Sequence, residues 1–274
     1  MPKVAVLISG EYRKLDITRK TMTFLDDPEV DVYVSTWDKT TYVSPRINLY
    51  VEENITSERI LKDLSRPATI RIDSHKIYDN KKYNSKMIYK WKSGIQLIES
   101  SGIKYDNIFV LRPDLFFNNH FPIILSNIVQ YTDNIGFAWA TANNIKKLPD
   151  LIFTSSANNI RTLIRSISID KWITDKEDDW HTWWYNHVNE IFPNMQNAPE
   201  LGHMIFCRYW MTPENTYINA LDMHHDWRDL RILYECDMYG DKFHSNGIWP
   251  DEIVDSARRK WTEGYYNKYK VENK

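Results

Sequence analysis

Cysteine and glycine are scarce in this 274-residue sequence, with two cysteines and eight glycines. Cys207 and Cys236 form no C-x-x-C pair. A disulfide framework is therefore excluded, and two isolated thiols fit a reducing compartment, so the chain is expected in the cytoplasm. The sequence has no G-x-G-x-x-G fingerprint and no G-x-x-x-x-G-K-[ST] stretch. That disfavours a phosphotransfer enzyme built on a phosphate loop. No apolar run approaches the roughly 20 residues that cross a bilayer. The opening MPKVAVLISG stops at Ser9-Gly10, too short for a secretory core followed by a cleavage site. Charge of one sign is missing too: 35 basic residues against 37 acidic ones leave a net charge of -2, without the positive excess of a nucleic-acid binder. No fixed-period repeat or glycine-serine linker marks a boundary, so one domain over 1–274 is expected.

Aromatic side chains, in contrast, are abundant, with 11 Trp and 17 Tyr concentrated from Trp172 onward. Such rings either fill a core or offer flat apolar faces to sugars and bases. Along the chain, Val4 to Ile8 is a continuous apolar run that reads as a buried parallel strand. A helix over 14–27, a strand over Val30 to Ser35, a helix over 56–64 capped by Thr56 or Ser57, and a strand over Ala68 to Ile72 follow. Met87, Trp91, Ile95 and Ile98 recur at helical spacing and predict a helix over 84–101, which leads to a strand over Ile108 to Leu111. The second half predicts strands over 135–140 and 151–154, a helix over 157–167 starting near Ser155 or Ser156, and an aromatic-rich helix over 179–191. Further helices are predicted over 200–210 and 251–266. Strands alternating with helices predict an α/β fold with a doubly wound, mostly parallel sheet flanked by helices. Ligands of such sheets sit outside the carboxyl ends of the strands.

The chemistry offered at those ends is specific. Ser9-Gly10-Glu11-Tyr12-Arg13 is a turn where glycine lets a ligand pass close and Arg13 can reach phosphate. Asp73, closing the third strand, is placed to accept from a base or ribose, or else to cap a turn. Lys86 and Lys90 lie one helical turn apart, either converging on one pyrophosphate or facing solvent. Arg112-Pro113-Asp114 sets two charges between the apolar runs Ile108–Leu111 and Leu115–Phe117. Charges so embedded need partners. Either they pair with each other, or Asp114 faces a metal or ribose while another acid holds Arg112; the strand-end location favours the latter.

Together, the first strand, the S-G-x-x-R turn, the D-V-Y-V-S-T-W strand, the helix with Lys86 and Trp91, and Y-D-N-I-F-V-L-R-P-D-L-F-F resemble a group of small nucleotide-sugar glycosyltransferases of the GT-A fold. Such enzymes act in bacterial surface-polysaccharide synthesis and in phages that decorate modified DNA bases. The resemblance covers residues 3–165 and implies a donor-binding part there, with an aromatic-rich acceptor-side and helical part over 166–274. It implies a nucleotide sugar as donor, with Gly10 and Arg13 against the nucleotide or phosphate and Asp73 near the base or ribose. Asp114 matches the last acid of the motif that holds a divalent cation, Mn2+ or Mg2+, against the donor diphosphate. Arg112 stands where another acid is common, which opens the alternative that arginine supplies part of the neutralisation.

Transfer to a hydroxyl calls for a group to take the acceptor proton. Glu200 and Asp251 are the candidates, with Glu252 beside the latter. His244 or His203 is placed to complete a cation site centred on Asp114, whereas His224-His225-Asp226 lacks zinc-ligand spacing. The acceptor is expected to be a bacterial surface glycan. The alternatives are hydroxymethylated cytosine in DNA, modified by a phage enzyme in the host cytoplasm, and a non-catalytic module that binds glycan or nucleic acid.

Overall fold

A computed structural model describes residues 2–12, 15–19, 22–44, 49–78, 83–117, 123–138, 148, 150–168, 180–198, 204–206, 243–244, 247–248, 250–252 and 255–256. The first strand, β1 (Val4–Ser9), is buried throughout because both of its faces are covered. Val4, Val6 and Ile8 enter one core with Val32, Val34, Phe109 and Leu111. Ala5 and Leu7 enter the other with Tyr33, Ile108 and Val110. Alternation of side chains across a strand covered on both faces is why this stretch reads as one unbroken apolar run.

After β1 come a short helix, α1 (Leu15–Thr18), and a 3-10 turn at Thr23–Asp26, where a continuous helix over 14–27 is predicted. Arg19 explains the packing of the second piece, donating to the Leu64 carbonyl and pairing with Asp26. The strand β2 (Val30–Trp37) runs two residues further than predicted. A hairpin of β3 (Lys39–Ser44) and β4 (Leu49–Asn54) follows as a separate antiparallel pair. Helix α2 (Ser57–Leu64) starts at the Thr56 cap, whose side chain accepts from the Arg59 N–H at 3.3 Å, and ends at left-handed Ser65. Then come β5 (Thr69–Asp73), the long helix α3 (Tyr83–Ser100) and β6 (Asn107–Leu111). The α3 stripe of Met87, Trp91, Ile95 and Ile98 packs into the second core, as its spacing predicts.

The remaining elements are β7 (Leu115–Phe117), α4 (Leu125–Val129), β8 (Gly136–Phe137), β9 (Ile152–Ser156), α5 (Ala157–Ser166), α6 (Trp180–Ile191) and β10 (Gln196–Asn197). Ser156 caps α5. Strand β11 (Met204–Phe206) pairs antiparallel with β7, which corrects the helix predicted over 200–210 at these three residues. A last hairpin joins β12 (Phe243–His244) to β13 (Gly247–Ile248).

The main sheet has seven strands in the order β10-β8-β9-β6-β1-β2-β5. Strands β5, β2, β1 and β6 are parallel, β9 runs against both β6 and β8, and β10 is parallel to β8. The fold is therefore α/β, with a mostly parallel sheet flanked by helices. Of the two uses open to the aromatic residues, those of α6 serve the core. Trp180 and Trp184 stack at 5.9 Å, and Trp184 lies 5.2 Å from Trp91 of α3. Among the described residues, no helix is long and apolar enough to cross a membrane.

Candidate functional site

The chain turns to opposite sides of β1 when it forms β2 and when it returns as β6. A sheet that reverses its winding in this way leaves a crevice at the carboxyl ends of the strands flanking the reversal. A cleft of about 370 Å³, its open mouth included, lies there, lined by Ser9, Gly10, Glu11, Trp37, Lys86, Met87, Arg112 and Pro113. These residues close β1, β2 and β6 and form the first turns of α3.

The turn after β1 is held on two sides. Gly10 has φ +122°, a conformation that residues with a Cβ avoid, and among the described residues no other group lies within 4 Å of where a Cβ would stand. Its N–H donates to the Ser35 carbonyl at 3.1 Å and its own carbonyl accepts from the Thr36 hydroxyl at 2.8 Å. Two residues on, the buried Tyr12 hydroxyl donates to Asp63 of α2 at 2.7 Å, under the Arg59 guanidinium. Burial pushes both the Tyr12 hydroxyl and the Asp63 carboxyl above their ordinary values; the Asp63 hydrogen bond and charge reinforce the rise at Tyr12. The turn beside the cleft is thus fastened to α2 by a hydrogen bond whose proton stays on Tyr12.

Arg112 and Asp114 pair with each other. The guanidinium donates from Nε to Oδ1 at 2.9 Å and from Nη2 to Oδ2 at 2.6 Å, a two-pronged contact. Asp114 is fully buried, while Arg112 lines the cleft. Between the two arrangements open from the sequence, the internal pair is the one formed. The reason is geometric: Pro113 bends the chain so that charges two residues apart meet, which spares a buried carboxylate from standing alone.

Lys86 and Lys90 are separated rather than convergent. Lys86 lines the cleft. Lys90 is 0% exposed, because one turn further along α3 the helix already lies across β2. Its ammonium donates to Asp73 at 2.7 Å and to the Thr36 carbonyl, and sits 4.2 Å from the Trp37 ring centre. Desolvation pulls the Lys90 ammonium down to about 8 despite the Asp73 carboxylate. At Asp73 desolvation acts upward, but hydrogen bonds and charge from Lys90 and Arg71 prevail and hold the carboxyl below its ordinary range. Ser93 also donates to Asp73, at 3.1 Å. Asp73 therefore sits behind the cleft wall, tied to Lys90 and, through it, to Trp37.

No protein-family model matches this sequence, and no curated protein matches it. Among solved structures, the chain is similar to the apo-form glycosyltransferase GlyE of Streptococcus pneumoniae TIGR4, with 11% identity and a TM-score of 0.41. The match covers 72% of this chain and 45% of that one, so it spans less than half of GlyE.

Arg13, Glu200 and His203 lie outside the described residues. His244 contributes backbone to β12, and its side chain is outside the description. Asp251 and Glu252 are exposed in a short helical stretch and do not line the cleft. No group of three or more His, Cys, Asp or Glu able to hold a metal occurs among the described residues. Ser9 and Glu11, members of the turn expected at the ligand edge, line the cleft, and so does Met87, which the sequence does not mark as a site residue. Ser9 and Glu11 are legible as neighbours of the turn glycine. Met87 is not, because its spacing assigns it to the apolar stripe of α3.

Proposed function

We propose that the chain transfers a sugar from a nucleotide-sugar donor, bound in the cleft between β1, β2, β6 and α3, to a hydroxyl of a bacterial surface glycan. The observation that carries this reading is the pair of cations, Lys86 and Arg112, facing one cleft at the carboxyl edge where the sheet reverses its winding. Departure of a nucleoside diphosphate builds negative charge, and fixed cations in a partly desolvated cleft stabilise that charge most as it develops. Gly10 lets the donor approach the backbone, and Arg13, three residues on in sequence, is the further cation assigned to the phosphates. Residues 1–165 hold the donor and 166–274 supply the acceptor side, with Glu200 and Asp251 as the candidates for taking the acceptor proton.

The test is release of nucleoside diphosphate from a panel of UDP-, GDP-, ADP-, CDP- and dTDP-sugars, alongside thermal shifts with the same donors. Ligand bound only to the folded state raises the unfolding midpoint. Turnover of one donor, even by slow hydrolysis, supports the enzyme. A thermal shift with no release from any donor identifies a binding module, and neither signal removes the nucleotide-sugar reading.

A further inference from the structure

We infer that this chain neutralises the diphosphate of its donor with Arg112, Lys86 and the first turn of α3 rather than with a divalent cation on Asp114, an inference that rests on the nucleotide-sugar reading above. Asp114 does not fit the role of metal ligand. Each of its oxygens accepts from Arg112, its side chain is 1% exposed, and Arg112 rather than Asp114 lines the cleft. A cation approaching from the cleft meets another cation first. An anion meets a guanidinium whose orientation the buried carboxylate fixes.

Two further observations point to an anion. Because β5 and β6 are parallel members of one sheet, the connecting α3 runs back across it, and its 18 residues begin at the carboxyl edge. The first N–H groups of a helix lack partners within it, and the helix dipole favours negative charge there. Lys86 and Met87, from the start of α3, line the cleft. Beside this turn are hydroxyls that no described residue satisfies. Leu7 and Tyr33 share a core with α3, so alternation carries Ser9 and Ser35, two residues further on, to the same side of the sheet. Ser85 belongs to the first turn of α3 itself. Ser9 is 1% exposed and Ser85 0% exposed, and the hydroxyls of Ser9, Ser35 and Ser85 have no hydrogen-bond partner among the described residues. Buried hydroxyls without partners are costly, and a phosphate oxygen accepts from the Ser9 hydroxyl at the cleft wall. Two cations, a helix start and a serine hydroxyl form a complete setting for a diphosphate.

Titration calorimetry with UDP, GDP, ADP, CDP and dTDP, each in excess EDTA and again with Mn2+, tests this. The expected result is binding of at least one diphosphate in EDTA, with Kd changing less than about twofold on adding Mn2+, since the protein's own cations already screen the charge. Lys86→Met is expected to weaken that diphosphate by about tenfold while leaving the matching nucleoside unchanged, as loss of one charge-assisted contact requires. Arg112→Gln with Asp114→Asn replaces the ion pair by a neutral amide pair that keeps the buried carboxamide bonded. It is expected to weaken the diphosphate in the same selective way, and equal unfolding midpoints for the two variants and the parent confirm intact folding. Binding that requires Mn2+ overturns the inference and leaves the nucleotide-sugar reading standing. Binding in EDTA that ignores both variants also overturns it. Absence of diphosphate binding in either buffer overturns both.

Discussion

Lys90 illustrates how a single side chain can stabilise a site without touching its ligand. Its ammonium spans α3, the Thr36 carbonyl and the Asp73 carboxylate, and lies under the Trp37 ring that forms one wall of the cleft. Removing the ammonium by Lys90→Met is expected to cost about 2 kcal/mol at neutral pH, below the usual loss for breaking a buried pair because Asp73 keeps Arg71 and Ser93. The sign of its pH dependence follows from the lowered value. Between about 8 and the ordinary lysine value of 10.5, the unfolded chain binds a proton that the folded chain has released. Stability from this group therefore rises with pH across that window. The difference in unfolding free energy between wild type and Lys90→Met, followed from neutral pH to pH 10, should show this rise; a flat difference would show that Lys90 titrates normally. Asp114 acts in a related way, by aiming Arg112. Asp114→Asn takes away one acceptor and the charge, so turnover should fall between about tenfold and a hundredfold, the loss of one or two charge-assisted bonds. Near-native turnover would show that Arg112 keeps its place unaided.

Among the elements, α3 decides the depth of the cleft, because its first turns form one wall and its middle lies on β1. Gly94 permits that contact: a Cβ there would stand 2.4 and 2.6 Å from the two methyl carbons of Leu7, which is itself fully buried. Gly94→Ala gains about 1 kcal/mol in helix propensity but overpacks a closed core at a cost of about 2 kcal/mol, so a net loss of about 1 kcal/mol is expected. Denaturant unfolding measures it, and a stabilised variant would mean that α3 can move off β1. The same helix was the most legible element in the sequence, since an apolar stripe from Met87 to Ile98 at spacings of four and three admits one reading. Strands β1, β2, β5 and β6 were legible through their apolar runs, and with them the edge at which the cleft opens. Shorter pieces were not. The break between α1 and the 3-10 turn depends on Arg19 reaching the Leu64 carbonyl, a partner 45 residues away that local periodicity cannot reveal. Strand β11 depends on pairing with β7, again a tertiary choice. The β3–β4 hairpin carried a signal, T-T-Y-V before Ser44-Pro45 and L-Y-V after it, rich in β-branched and aromatic residues, but the strand before it ends only at Trp37 and masks the start of a second one. The Arg112–Asp114 pairing needed the bend at Pro113, which fixes whether two charges two residues apart meet or diverge.

For the whole molecule, the main sheet joins both halves of the chain, since β10 at residues 196–197 extends the edge that β8 and β9 begin. Helix α6 likewise completes the core beneath α3. Helix α6 and β10, the described part of the proposed acceptor side, thus stand on the same framework as the proposed donor cleft, and the acceptor must be one that this framework attracts. A net charge of -2 gives no general pull on a polyanion. Duplex DNA binding draws on neutralised phosphates, and each contact released by salt steepens the fall in affinity. The basic residues that would serve it, Arg258, Arg259 and Lys260, lie outside the described residues. The expectation is a glycan acceptor: labelled sugar should enter bacterial oligosaccharides and not hydroxymethylcytosine-containing duplex, and duplex affinity should be weak already at about 50 mM salt. A DNA acceptor predicts the opposite pattern, with tight binding that collapses between about 50 and 200 mM salt and a shallower slope once Arg258, Arg259 and Lys260 are neutralised together. Nucleotide-sugar binding should be indifferent to that triple change. Incorporation into DNA alone would overturn the glycan assignment while leaving the proposed donor cleft, which the acceptor does not define, untouched.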